Sequence, residues 1–112
     1  MDFREHKPIY LQIADNICNK ILMKEYLTDD KIPSIRELGI ELGVNPNTVT
    51  RSYDYLQSID IIYNKRGLGF FVSEKAREKI IEVEKEQFLK TELPEILKKM
   101  ELLEIGREVL LD

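Results

Sequence analysis

Apolar residues recur along this chain with three different rhythms, and each predicts a different element. From Pro8 onward, Ile9, Tyr10, Ile13, Ile17 and Ile21, with Ala14, Cys18 and Leu22 beside them, keep the three-and-four spacing of one helix face. That spacing predicts a helix opened by Pro8 and running to about Lys24, after a polar, frayed start over residues 1–7. Tyr26 to Lys31 reads as a loop. A second helical stretch buries Ile35, Leu38 and Leu42. Its start is marked by Ser34-Ile35-Arg36-Glu37, a Ser-x-x-Glu capping box, and its end by Gly43, suited to the left-handed position that closes a helix.

A third helix follows at once. Asn45 is a strong N-cap, and Pro46 takes the first helical position, where a missing N–H is harmless. Over Pro46 to Ser58 the two faces differ in chemistry. Val49, Ser52, Tyr53 and Leu56 gather on one side, Asn47, Thr50, Arg51 and Asp54 on the other. The first side fits a core. The second is short and polar, made of side chains that contact base edges and phosphates. Two helices joined by a tight turn at Gly43-Val44 read as a helix-turn-helix.

The rhythm then shortens. Ile61-Ile62-Tyr63 and Phe70-Phe71-Val72 are brief apolar runs around Asn64-Lys65-Arg66-Gly67-Leu68-Gly69, the signature of a hairpin. Such a hairpin after a helix-turn-helix is a wing, with Lys65 and Arg66 at its tip. The remaining residues are helical in composition. One helix runs from Ser73 or Glu74 to about Lys90, and Thr91 and Pro94 predict a break or kink. A second carries Leu93, Ile96, Leu97, Met100 and Leu103, with Gly106 as its punctuation. This tail holds more apolar surface than two short helices can bury alone, so a second subunit is expected against it.

The fold class expected is mainly α with a small β-hairpin. It divides into a winged helix-turn-helix over residues 1–72 and a helical dimerisation tail over residues 73–112. The chain's 112 residues fit one domain, or one domain with an appendage. No apolar run spans a membrane and no secretory segment follows Met1, so a cytoplasmic location is expected. Cys18 is the only cysteine and His6 the only histidine. Neither a disulfide, a metal site nor a catalytic pair is expected, and no cofactor. Cys18 reads as a small buried hydrophobe rather than a redox sensor. Glu82, Glu84 and Glu86 spread around a helix and form a solvated face, not a metal site.

Net charge changes the picture only once it is located. The formal charge is −4, which argues against nucleic acid. Between Lys31 and Val72, however, Lys31, Arg36, Arg51, Lys65 and Arg66 outnumber Glu37, Glu41, Asp54 and Asp60. The acidity is concentrated from Ser73 onward, and over about 10 Å salt screens one region from the other.

In order, Pro8-Ile9-Tyr10-Leu11-Gln12-Ile13, Ile32-Pro33-Ser34-Ile35-Arg36-Glu37-Leu38, Leu42-Gly43-Val44 with the Asn45 helix, and Arg66-Gly67-Leu68-Gly69-Phe70-Phe71-Val72 resemble the winged-helix domain of the GntR family of bacterial transcription regulators. The Asn-Pro-Asn-Thr-Val segment and the short helical tail resemble its YtrA subfamily. The resemblance implies a homodimer on a palindromic double-stranded DNA operator, with the Asn45 helix in the major groove and the wing on the neighbouring minor groove or backbone. The polar-faced helix, the capped pair of helices and the basic wing in sequence lead to the expectation of a sequence-specific DNA-binding repressor. The resemblance matches Arg36, Asn45, Asn47 and Thr48 to the family's DNA-contact positions and Gly67 to its wing-tip glycine.

The family's arginines are absent at Pro46 and Thr50, which moves base readout toward Asn47 and Arg51. The DNA-binding set expected is therefore Arg36, Asn45, Asn47, Thr48, Thr50, Arg51, Lys65, Arg66 and Gly67. The dimer set is Ile80, Ile81, Phe88, Leu93, Ile96, Leu97, Met100 and Leu103. Tyr10, Tyr53 and Phe71 are expected in the core. The tail leaves no room for an effector pocket within one protomer. The alternative is a winged-helix protein-interaction or assembly module without specific DNA binding. No enzyme is expected, since no nucleophile–base pair, phosphate loop or metal-ligand spacing occurs.

Overall fold

The computed structural model describes residues 7–111, which form two compact units, one ending at Ile80 and one beginning at Ile81. His6 lies outside the described residues. Helix α1 spans Ile9–Leu22, strand β1 Lys31–Ile32, α2 Ile35–Leu42, α3 Pro46–Ser58, β2 Ile62–Lys65, β3 Gly69–Val72 and α4 Ala76–Gln87. A helical turn over Phe88–Glu92, helix α5 (Leu93–Leu102) and a 3₁₀ helix over Arg107–Leu111 complete the chain. It is a mainly helical winged helix-turn-helix with a small antiparallel sheet.

In the first unit α3 is the central element, packed on both α1 and α2. Its inward side is the one expected: Val49, Ser52, Tyr53 and Leu56 are each 0 % exposed. They share a core with Ile13, Ala14, Ile17 and Ile21 of α1, Ile32, Ile62 and Val72 of the sheet, and Leu38 of α2. Ala76 and Ile80 belong to the same core, so this unit runs past Val72 to Ile80.

The caps form as their sequences dictate. The Ser34 hydroxyl accepts from the Glu37 N–H at 3.0 Å, and the Glu37 carboxylate accepts from the Ser34 N–H at 2.9 Å. The Ser34 N–H, with a smaller contribution from the Ser34 hydroxyl, holds the Glu37 carboxyl below the usual carboxylate range. Gly43 takes φ 67°, the left-handed closing position. The Asn45 side chain accepts from the Asn47 N–H at 2.8 Å.

Leu42 departs from expectation: it is 46 % exposed, and Gly39 takes the buried place in α2. A Cβ on Gly39 would stand 3.2 Å from the Val44 carbonyl oxygen and 3.7 Å from Pro46 Cα. The absent side chain lets the start of α3 approach α2, and α2 ends before Leu42 can reach the core.

The hairpin gains a third strand. Lys31, expected as the end of a loop, and Ile32, expected as the lead into the capping box, pair antiparallel with β3 in the order β1-β3-β2. The bonds Asp29 N–H to Val72 O and Val72 N–H to Asp30 O extend that pairing beyond β1. Two residues are too few to carry an alternating pattern, which is why the strand is silent in the sequence.

In the second unit the expected break is a widened turn. The Leu93 N–H reaches the Phe88 carbonyl five residues back, and Pro94 lies in the first turn of α5. The π-helical turn absorbs the bond that Pro94 cannot donate. The stop expected at Gly106 falls earlier, at Leu103, where Glu104 takes φ 56°.

Candidate nucleic-acid interface

The outward side of α3 stands on the inward one. Ser52 Oγ lies 2.7 Å from the Tyr10 carbonyl oxygen and 3.2 Å from that of Thr48, fixing α3 against the start of α1. Tyr53 Oη donates to the Pro33 carbonyl at 2.6 Å, and its ring meets Phe70 edge-on, 4.9 Å between centroids. Burial pushes the Tyr53 phenol well above its ordinary value, so it remains a neutral donor. The rotation of α3 is thereby set by one hydrogen bond to α1, one to the residue preceding the α2 cap, and one ring contact with the sheet.

With the helix held, its polar side chains keep most of their hydrogen-bonding capacity. Asn47 and Arg51 are exposed, as is Asp54. Arg51 does not pair with Asp54; its guanidinium carbon sits 4.2 Å from the centroid of the Tyr10 ring. A cation–π contact consumes no N–H, and the five donors of the fork have no hydrogen-bond partner among the described residues. Tyr10, expected in the core, is only half-buried, and its ring is the floor under Arg51. Thr48 and Thr50 are half-buried, and Thr50 Oγ1 donates to the Pro46 carbonyl at 3.1 Å, leaving its lone pairs and methyl outward. Asn45 has its carbonyl engaged in the cap and its amide NH₂ available. Arg36, in the first turn of α2, is exposed and has no hydrogen bond or ion pair among the described residues.

The wing turn carries the second group. Leu68 N–H bonds the Lys65 carbonyl at 2.8 Å, and Gly67 takes φ 80°, which lets Arg66 and Gly67 form an exposed tip. Lys65 leans back over Phe71 and Tyr63, its Nζ 5.3 and 6.0 Å from their ring centroids. Phe71 is not a core residue. Register places it beside Tyr63 and Lys31 on the outer face of the sheet, where it stacks on Tyr63 at 5.7 Å. Tyr63 Oη donates to Asp29 Oδ1 at 2.7 Å, and that bond raises its pKa. The short Phe70-Phe71-Val72 run hides which of its residues faces out, and only the pairing register resolves it.

The residues expected at a subunit contact fall into two groups. Ile80 is 5 % exposed in the core of its own unit, and Met100 is likewise buried. Helix α4 reaches the first core with its opening turns, which removes Ile80 from the surface. Ile81, Phe88, Ile96 and Leu103 are exposed, and Leu93 and Leu97 are half-buried. No helix among the described residues is long and apolar enough to cross a membrane.

The profile of the bacterial regulatory proteins of the gntR family matches residues 9–72. The uncharacterized HTH-type transcriptional regulator YhcF of Bacillus subtilis is 40% identical over 110 residues, covering 98% of this chain and 89% of YhcF. The HTH-type transcriptional repressor YtrA of the same organism is 40% identical over 85 residues, 73% of this chain and 63% of the relative, in line with the expected subfamily. A GntR-family transcriptional regulator from Bacteroides thetaiotaomicron superposes with a TM-score of 0.70 at 48% identity, over 92% of this chain and 89% of the other. This chain belongs to the GntR family, as a transcriptional regulator of the YtrA type.

Proposed function

We propose that this regulator is a repressor that binds a palindromic operator as a homodimer, with α3 of each protomer in a major groove and the wing on the adjacent backbone or minor groove. The observation that carries the reading is the division of α3. Four inward side chains are fully buried, and the opposite side offers Asn47 and Arg51, whose side-chain donors have no hydrogen-bond acceptor among the described residues. A helix held this firmly, with its free polar groups on one side, matches how a recognition helix reads base edges.

Within this reading, Asn47 and Arg51 read bases. Asn45, Thr48 and Thr50 shape the start of the helix against the groove, Thr50 through its methyl and lone pairs. Arg36, Lys65 and Arg66 meet phosphates, and Gly67 lets the wing tip come close. The winged unit supplies the DNA contact and the helical tail the dimer contact, through Ile81, Phe88, Leu93, Ile96, Leu97 and Leu103. The protein works in the cytoplasm beside the chromosome and takes no small-molecule effector inside one protomer's tail.

The test is fluorescence anisotropy of the full chain against duplex DNA from upstream of its own gene, beside a scrambled duplex, at two salt concentrations. Preference for the native duplex that survives the higher salt is expected. Equal, weak binding that vanishes with salt refutes operator recognition at that locus and favours an interaction module.

A further inference from the structure

From the geometry at the start of α1 we infer that Tyr10 is a positioning residue for DNA recognition: its ring is a fixed platform that holds the Arg51 guanidinium in its reading orientation before DNA arrives. The inference rests on the reading of α3 as the recognition helix and deepens it.

Tyr10 lies in the first turn of α1, on an element outside the helix-turn-helix itself. Two contacts at neighbouring positions of α3 converge on it. Ser52, fully buried, reaches its carbonyl oxygen at 2.7 Å, and Arg51, one residue earlier, lies over its ring at 4.2 Å. The first contact fixes the Tyr10 backbone against α3. The second uses the ring carried on that backbone. The backbone of the platform is therefore held independently of the side chain that its ring supports.

An arginine left free on a helix surface loses rotamer freedom when it docks. One already stacked loses less, and its planar fork is presented as a unit. Stacking engages the face of the guanidinium and leaves the N–H groups to a guanine edge or a phosphate. The alternative acidic partner on the same helix, Asp54, makes no ion pair with Arg51. Arg51 is thus held by a contact that operator binding need not break.

The experiment is a double-mutant cycle on the full chain, using the duplex that the wild-type protein enriches from a random DNA pool. Tyr10→Met keeps bulk and removes the ring's quadrupole; Tyr10→Phe keeps the ring and removes only the hydroxyl. Tyr10→Met is expected to weaken binding about two- to fivefold in the wild-type background and to have no effect in the Arg51→Ala background, with Tyr10→Phe matching wild type. An equal loss in both backgrounds, or no loss in the first, overturns the positioning role. Arg51→Ala binding as well as wild type overturns the assignment of Arg51, and a wild-type chain that enriches no duplex overturns DNA recognition itself. A readout independent of DNA and of the stability of variants is the NMR spectrum of the wild-type chain. The Arg51 side-chain protons are expected upfield of those of Arg36 through the Tyr10 ring current, and coincidence of the two sets refutes the platform.

Discussion

Tyr53 Oη donates to the Pro33 carbonyl oxygen at 2.6 Å, a bond that joins the middle of α3 to the residue just before the α2 cap. The two helices of the helix-turn-helix are therefore braced at a point far from their turn. Tyr53→Phe removes the donor and leaves a carbonyl without its partner, so a loss of about 1 kcal/mol in unfolding free energy is expected. The buried phenol also titrates above its unfolded value. Its contribution is present below about pH 10 and is lost as pH rises from there, because the unfolded chain ionises first. Denaturant melts from pH 8 to 11 check both points: wild type should weaken at the alkaline end more than Tyr53→Phe does.

The Ser34–Glu37 capping box makes a prediction of opposite sign. Two hydrogen bonds to Ser34 lower the Glu37 pKa, so the cap's stabilisation exists above the unfolded carboxylate value and fades as pH falls through the folded one. Ser34→Ala removes the hydroxyl and keeps the backbone N–H, so the Glu37 carboxyl should rise only part of the way toward its ordinary range in an NMR titration. The substitution should also reduce stability by about 1 kcal/mol at neutral pH. A Glu37 carboxyl at its ordinary value in the wild-type chain would show that these bonds are not made in solution.

The sequence makes legible what local rules govern. The inward face of α3, the capping box, Gly43 and the Asn45 cap follow from residue type and helical period, and each stands where expected. What is hidden depends on contacts between elements. Strand β1 is two residues long and exists because β3 offers it an edge. Phe71 and Phe70 are adjacent and apolar, and only the register sends one to Tyr63 and the other to Tyr53. Ile80 continues an apolar period that looks like tail, and its burial follows from where α4 begins. Tyr10 could be found only once α1 was set beside Arg51. Four of the expected DNA-contact residues lie on α3 because one helix gathers what periodicity predicts.

Gly39 and Gly43 are four residues apart and should fail for different reasons. Gly43 has open space around a Cβ and a φ of 67°, so Gly43→Ala meets only backbone strain, about 1 kcal/mol. Gly39 has an ordinary helical backbone but faces the Val44 carbonyl and Pro46. Gly39→Val would force α3 away from α2 and is expected to reduce stability by about 1–3 kcal/mol. On the proposal that α3 carries the reading residues, Gly39→Val should also weaken operator binding under conditions where the protein remains folded. Gly43→Ala should leave the affinity of the folded fraction nearly unchanged. Melts and anisotropy on the same samples separate the two.

Arg36 should dissociate stability from function. It sits in the first turn of α2, where the helix dipole favours anions, and the nearby Glu37 carboxylate is committed to the Ser34 N–H. With no hydrogen bond or ion pair among the described residues, the guanidinium contributes nothing evident to the fold. Arg36→Ala is therefore expected to leave the melting temperature unchanged or slightly raised. If the side chain meets a phosphate, the same variant should lose affinity for operator and scrambled duplex alike. The slope of log affinity against log salt should fall by about 1 per contact removed. Arg51→Ala should instead lose preference for the operator, by about 1–3 kcal/mol for one base contact. A selective loss from Arg36→Ala with an unchanged salt slope would make Arg36 a base reader, and a fall in melting temperature would make it a structural residue.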